Sequence, residues 1–184
     1  MENHGFTGVI LAGGASRRMG VDKATLTVNH MPLLMLMKQK LFEAGAQKIA
    51  VLGKENMVGG VPDKSPGAGP VCAIMDYLEN QPYGSRHLIV PVDMPALRPN
   101  DLALLATEPY WACFKGYNLP FLAIADAIDL MPPRRIQDLL FIKMARRLGL
   151  PKGSETSFLN LNRPAEFAAY TNQNLASPGL QISK

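Results

Sequence analysis

Near its start the chain reads Val9-Ile10-Leu11-Ala12-Gly13-Gly14-Ala15-Ser16-Arg17-Arg18-Met19-Gly20-Val21-Asp22-Lys23. A short apolar run ends in a glycine pair, followed by two arginines, another glycine and a lysine. Gly13 and Gly14 let main-chain N–H groups approach phosphate oxygens with no Cβ in the way. Glycine pairs alone mark ordinary strand-to-helix turns; Ser16, Arg18, Gly20 and Lys23 beside this pair point to a polyphosphate. Lys23 and Arg18 supply charge that reaches phosphates, since an unperturbed lysine titrates near ~10.4 and is cationic at neutral pH. Such cations neutralise charge on a transferring phosphoryl group and a leaving pyrophosphate. Arg17, its neighbour, points elsewhere and reads as a surface charge. No glycine here is followed by Lys-Ser or Lys-Thr, and there is no G-x-G-x-x-G, so the P-loop and the dinucleotide fingerprint are excluded.

A second block, Pro91-Val92-Asp93-Met94-Pro95, closes a strongly apolar run. An acidic side chain just past a buried strand is costly unless it binds something. Taken alone, Asp93 is equally a helix cap or salt-bridge partner and a ligand for Mg²⁺, which takes one or two carboxylates plus substrate phosphates and water. Beside the glycine loop, the metal reading is preferred. Asp63-Lys64-Ser65-Pro66-Gly67-Ala68-Gly69-Pro70 is a rigid glycine-rich turn suited to a base or ribose, though by itself only a loop. In Asn160-Leu161-Asn162-Arg163-Pro164, Asn162 either adds a neutral oxygen to the metal shell or caps the helix that follows.

These blocks need elements to hold them. Gly8–Leu11, Lys48–Leu52, His87–Val92 and Tyr110–Phe114 are short, apolar and β-branched, and read as buried parallel strands. Leu33, Leu34, Met37, Leu41 and Phe42 form a helical stripe ended by Gly45. Val71–Leu78 and Asp101–Leu105 supply two more helices. The βαβα alternation predicts a doubly wound sheet with helices on both faces, and its ligand site falls at the carboxyl ends of the strands. Past residue 115 the expected elements are a strand over Leu119–Ala123, a helix over Ile136–Leu148 and a last strand over Phe158–Leu161. Pro164 opens a short helix, and Asn172 to Lys184 reads as a frayed polar tail.

The 184 residues fit a single domain spanning 1–184. With 47% hydrophobic and 18% charged residues the composition is that of a globular core. A formal net charge of +4 favours anionic ligands in general without naming nucleic acid. Arg134, Arg135, Lys143, Arg146, Arg147 and Lys152 form a basic stretch; all but Arg134 and Arg135 read as a solvated helix face. Cys72 and Cys113 have no C-x-x-C spacing and read as reduced thiols, and His4, His30 and His87 lack metal-ligand spacing. With no signal pattern and no apolar stretch near the ~20 residues that cross a bilayer, a cytoplasmic monomer is expected.

Together the blocks resemble the molybdenum cofactor guanylyltransferases, the MobA-like nucleotidyltransferases. Their opening motif, L-A-G-G-x-S-x-R-M-G-x-D-K, is matched at every fixed position from Leu11 to Lys23. Their D-x-x-P-G-x-G-P turn is matched by Asp63, Pro66, Gly67, Gly69 and Pro70, and their N-x-N-x-P by Asn160, Asn162 and Pro164. Val92 replaces the cysteine of P-C-D-x-P. The resemblance covers about Val9 to Tyr170 and implies a Rossmann-like, three-layer α/β/α fold with a mostly parallel mixed sheet. It implies GMP transfer from GTP to molybdenum-bound molybdopterin with release of pyrophosphate, and partners among cofactor-biosynthesis proteins or acceptor apo-enzymes. It also implies nucleotide contacts from Leu11, Ala12, Gly13, Lys23, Asp63 and Asp93, to which the reading of the glycine loop adds Gly14 and Ser16. Catalysis falls to Lys23, Arg18 and Asp93, with Mg²⁺ on Asp93 and Asn162. The chain departs from the family at Gly53, where asparagine is frequent, at Ala73, at Leu119 before Pro120, and at Arg163. Alternatives are a cytidylyl or sugar-phosphate nucleotidyltransferase, and a non-catalytic nucleotide-binding relative.

Overall fold

The computed structural model describes residues 5–13, 26–65, 67–126, 133–161 and 163–175. Its centre is a seven-stranded sheet in the order β5-β4-β1-β6-β8-β7-β9. These strands are β1 (Phe6–Leu11), β4 (Ala46–Leu52), β5 (Gly60–Val61), β6 (Arg86–Pro91), β7 (Ala112–Phe114), β8 (Phe121–Ile124) and β9 (Arg146–Leu148). A small antiparallel pair, β2 (Thr27–Val28) and β3 (Met31–Pro32), stands apart. β5, β4, β1 and β6 run parallel, β8 runs antiparallel to β6 and β7, and β9 is parallel to β7. The sheet is therefore mixed and mostly parallel, as the sequence implies.

Alternation along each strand divides the core into two layers. Ile10, Val51, Leu88, Val90, Leu122 and Phe114 face α1 (Leu33–Glu43) and α3 (Pro99–Ala106). Val9, Ala50, Leu52, Ile89, Phe121 and Cys113 face α2 (Pro70–Glu79) and α4 (Ile136–Ile142). This is the three-layer arrangement that the apolar strands require, because a strand buried on both faces needs helices on both sides. In α1, Leu33, Leu34, Met37 and Leu41 are buried, each worth about 1.5–3 kcal/mol. Phe42 lies off that stripe and is 55% exposed, which corrects its place in the expected core. Gly45, with φ of 98°, supplies the left-handed turn that ends the helix. Pro70 and Pro99 occupy first-turn positions, where no N–H is needed.

Three expectations fail in the second half. The helix predicted over Ile136–Leu148 stops at Ile142, and Arg146–Leu148 forms edge strand β9. Met144 takes a φ of 49°, and the Arg146 N–H donates to the Trp111 carbonyl at 2.8 Å as pairing with β7 begins. The strand predicted over Phe158–Leu161 does not form: Phe158 ends a 3₁₀ turn, Glu155–Phe158, and residues 159–161 pair with no strand. Phe158 there packs edge-on against Phe114, with ring centres 5.2 Å apart, and lies 4.7 Å from Tyr117. The polar stretch from Asn172 is still helical in α5 (Pro164–Leu175); residues 176–184 lie outside the described residues. Among the described residues no helix is long and apolar enough to cross a membrane.

Candidate functional site

The site follows from strand register. Leu11 pairs with Leu52 on one side and Pro91 on the other, and Leu52 pairs with Val61. Four parallel strands therefore end level with one another. Gly13 follows β1, Gly53 follows β4, Asp63 follows β5 and Asp93 follows β6, each within two residues of its strand. Asp63 and Asp93 thus flank Gly13 at the carboxyl edge of the sheet, where loops rather than the ladder hold the chain. Three strand spacings separate β5 from β6, roughly 14 Å at about 4.8 Å each. A ligand contacting both carboxylates has to be long, as a nucleoside triphosphate is.

Main-chain bonds hold these loops down. The Ala12 N–H donates to the Leu52 carbonyl at 3.0 Å, and the Val92 N–H donates to the Leu11 carbonyl at 3.2 Å. Both extend the ladder one residue past its strands. Leu11 is half-buried and Ala12 buried, whereas Gly13 is exposed where the loop leaves the sheet. Asp93 is half-buried, and its carbonyl accepts from the Leu161 N–H at 2.9 Å. Asp63 is exposed, and its Oδ1 accepts from the Ser65 N–H at 3.0 Å, an Asx turn that shapes the glycine-rich loop. One carboxylate oxygen of Asp63 is therefore engaged in building its own loop.

The remaining predicted site residues, Gly14, Ser16, Arg18, Lys23 and Asn162, lie outside the described residues. Leu161, the neighbour of Asn162, is brought against the Asp93 loop by its main-chain bond. The Arg163 N–H donates to Glu166 Oε2 at 3.0 Å, so a glutamate reaching back from the first turn of α5 serves the start of that helix. The R-P-A-E order carries this signal, which sequence reasoning missed while weighing Asn162 as the cap. Ala73 and Leu119, the two other departures, are half-buried and pack against the core layer of α2 and α4. Arg134 and Arg135 are exposed at the start of α4. Because α4 leads into β9, which runs parallel to β6 through β7 and β8, that start lies toward the carboxyl edge of the parallel strands.

Among the described residues no group of three or more His, Cys, Asp or Glu side chains converges to hold a metal ion. A donor set built around the single half-buried carboxylate of Asp93 is hard oxygen chemistry. It fits Mg²⁺, which completes its shell with substrate oxygens and water.

The sequence pattern of the MobA-like NTP transferase domain matches residues 8–121. A molybdenum cofactor guanylyltransferase of Xanthomonas euvesicatoria pv. vesicatoria (strain 85-10) is 30% identical over 181 residues, covering 92% of this chain and 96% of that protein. Two solved structures share the fold, each at 16% identity and a TM-score of 0.72. One is a nucleotidyl transferase from Methanothermobacter thermautotrophicus, with 95% of this chain and 99% of that one covered. The other is the molybdopterin-guanine dinucleotide biosynthesis protein A of Archaeoglobus fulgidus, with 94% of this chain and 100% of that one covered. The match spans the glycine loop, the Asp63 turn and the Asp93 block, the segments that register brings to one edge of the sheet. This chain is a nucleotidyltransferase and belongs to the MobA-like NTP transferase family.

Proposed function

We propose that this chain transfers GMP from GTP to molybdenum-bound molybdopterin, forming the molybdopterin guanine dinucleotide cofactor and releasing pyrophosphate. The observation that carries the reading is the common level at which β5, β4, β1 and β6 end. It sets Gly13 between Asp63 and Asp93 at a strand spacing a nucleoside triphosphate can bridge. The 30% identity to a guanylyltransferase over nearly the whole chain supports the base and the acceptor.

In this reading the terminal phosphate of the pterin attacks the α-phosphorus of GTP. A new P–O bond forms to the acceptor oxygen, the bond from the α-phosphorus to the bridging oxygen breaks, and pyrophosphate departs with that electron pair. The nucleophile is already anionic at neutral pH, so no general base is required. Catalysis reduces to in-line placement and neutralisation of charge. Leu11, Ala12, Gly13, Gly14 and Ser16 cradle the phosphates, Lys23 and Arg18 carry positive charge to them, and Asp63 holds the nucleoside side. Asp93 and Asn162 hold Mg²⁺, which supplies Lewis-acid neutralisation of the triphosphate. Arg134 and Arg135, at the start of α4, suit the phosphate of the incoming pterin.

The test is a binding titration of GTP, CTP, ATP and UTP with Mg²⁺, on wild type and on Asp93→Ala, paired with pyrophosphate release in the presence of acceptor. Selective GTP binding that collapses in the folded variant, together with loss of turnover, is the expected result. A preference for CTP moves the assignment to a cytidylyltransferase with the mechanism intact. Turnover untouched by Asp93→Ala removes the metal assignment, and binding of no nucleotide at all removes the enzymatic reading.

A further inference from the structure

Where the chain enters α5, two features of like sign meet. Arg163 is exposed and directly precedes Pro164, the first residue of this helix of 12 residues. Its charge is therefore carried at the positive end of the helix, where the macrodipole favours anions and opposes cations. Glu166, the acid of the first turn, does not offset it by an ion pair. One of its oxygens accepts from the Arg163 main-chain N–H at 3.0 Å instead. Among the described residues the Arg163 guanidinium has no hydrogen-bond or ion-pair partner. An exposed arginine is ordinarily a solvated surface charge, and two observations set this one apart. The helix end already disfavours it, and it stands two residues beyond Leu161, whose N–H is bonded to the Asp93 carbonyl at 2.9 Å. Two residues of chain span at most about 7 Å, so Arg163 starts from the same edge of the sheet as Asp93. A side chain as long as that of arginine covers the space beside that carboxylate.

We infer that Arg163 is a phosphate-binding residue: its guanidinium takes a substrate phosphate beside Asp93, in a field that the start of α5 reinforces. This rests on the nucleotidyltransfer reading above and adds to it a residue given no role there. The guanidinium suits phosphate because its planar fork donates two parallel N–H bonds to two oxygens. The phosphate belongs to the acceptor or to the nucleotide, and the recognition chemistry is the same for both. Position favours the acceptor. Arg163 stands at the Asp93 end of the row, three strand spacings from Asp63 and the nucleoside side. Position 163 is one of this chain's departures from the family pattern, so the contact strengthens binding and is not required for bond making. A cation held against a helix dipole lowers stability slightly while raising affinity for an anion. A residue with a structural task does the reverse, and the two roles separate by experiment.

The experiment compares wild type, Arg163→Gln, Arg163→Lys and Lys48→Gln. Lys48 is exposed near the start of β4, at the opposite edge of the sheet, so its variant removes one charge far from the site. Calorimetry gives the Kd of the nucleotide that wild type binds, with Mg²⁺ present. Pyrophosphate release gives kcat and the KM for molybdenum-bound molybdopterin, and urea denaturation gives stability. In Arg163→Gln one of the two constants is expected to rise about fivefold, the scale of an exposed charged contact made by a fork. A rise in the acceptor KM assigns the phosphate to the pterin, and a rise in Kd assigns it to the nucleotide. Arg163→Lys should show a smaller rise, because the charge stays and the fork is lost. Turnover at saturation should stay within about threefold, the pattern of lost uniform binding. High salt should shrink the ratio of variant to wild type, since exposed charges are screened. The urea midpoint of Arg163→Gln should hold or rise, as the helix loses an opposed cation. Lys48→Gln should leave both constants within about twofold, since distant sites act independently. Three results each overturn the inference: both constants unmoved in Arg163→Gln, an equal rise in Lys48→Gln, or an affinity loss matched by a lower urea midpoint. Wild type that binds no nucleotide and releases no pyrophosphate defeats the functional reading, and the inference with it. A failure of the inference alone leaves wild type active and Arg163→Gln equal to it.

Discussion

The Leu161 N–H donates to the carbonyl of Asp93 at 2.9 Å, tying the loop before α5 to the loop after β6. This bond fixes the main chain of Asp93 from the far end of the sequence. It also places Leu161 next to Asp93 without any strand pairing.

Removing that donor is the sharpest test of the tether. Leu161→Pro should cost about 1 kcal/mol or more of stability for the lost hydrogen bond. It should also raise the Mg²⁺ concentration needed for half-maximal nucleotide binding several-fold. Urea denaturation and a Mg²⁺ titration read the two effects. Leu161→Met, which keeps the N–H and the apolar bulk, should stay near wild type in both. An unchanged Mg²⁺ midpoint in Leu161→Pro would make the bond purely structural.

Lys23 is assigned to charge that grows during transfer. Lys23→Ala is therefore expected to lower kcat by about 10²- to 10³-fold, the usual loss when one preorganised electrostatic contact is removed. Single-turnover pyrophosphate release measures it. A variant that loses only nucleotide affinity, with kcat intact, would place Lys23 in ground-state binding instead.

Asp126 anchors α4. Its Oδ2 accepts from Trp111 Nε1 at 3.1 Å and its Oδ1 from Lys143 Nζ at 2.8 Å, while Lys143 also lies 5.8 Å above the Trp111 ring. Trp111 is buried and stacks on Phe121. Asp126→Ala should destabilise the fold by about 1–3 kcal/mol, because a buried indole N–H and an ammonium lose their acceptor together. Denaturant unfolding followed by Trp111 fluorescence gives the value. A loss below a few tenths would show that water replaces the carboxylate.

His87 sets a pH dependence of stability. It is 1% exposed, between Tyr77 OH at 3.0 Å from Nδ1 and Ser85 Oγ at 2.8 Å from Nε2. Ser85 Oγ donates to the Pro82 carbonyl, so the bonding pattern assigns the proton of the neutral ring to Nε2, with Tyr77 OH donating to Nδ1. Burial pushes the His87 pKa down to about 4, against about 6.5 in the unfolded chain. Between those values the unfolded chain holds a proton that the native one does not. The contribution of His87 to stability is therefore complete above about pH 6.5 and is lost as pH falls toward 4, by at most about 3 kcal/mol. In His87→Gln that part of the slope should vanish when urea midpoints at about pH 7 and about pH 4.5 are compared. An identical slope in the variant would mean the imidazole is solvated enough to charge freely.

Most of the first half was legible because its signals are local. Apolar runs such as Val9–Leu11 and Leu88–Val90 end at turn residues, and Leu33, Leu34, Met37 and Leu41 repeat at helical spacing. Each pattern admits one way to bury its apolar groups. The second half was less legible because pairing there depends on distant strands. Arg146–Leu148 is polar enough to read as the end of a helix, and it becomes a strand only because β7 offers a free edge. Phe158 looks like a strand residue until Phe114 and Tyr117 provide the pocket that holds it in a 3₁₀ turn.

The residue types at Gly13, Asp63 and Asp93, and hence the polyphosphate chemistry, are properties of the sequence alone. Local chain chemistry determines which backbone can approach an anion and which side chain carries charge. That Asp63 and Asp93 flank one loop was decided by register, as Leu11, Leu52, Val61 and Pro91 end abreast. The bond from Leu161 to Asp93 belongs to the tertiary structure as well. It joins segments that no local pattern relates, because the distance between two loops is set by the packing of the strands beneath them.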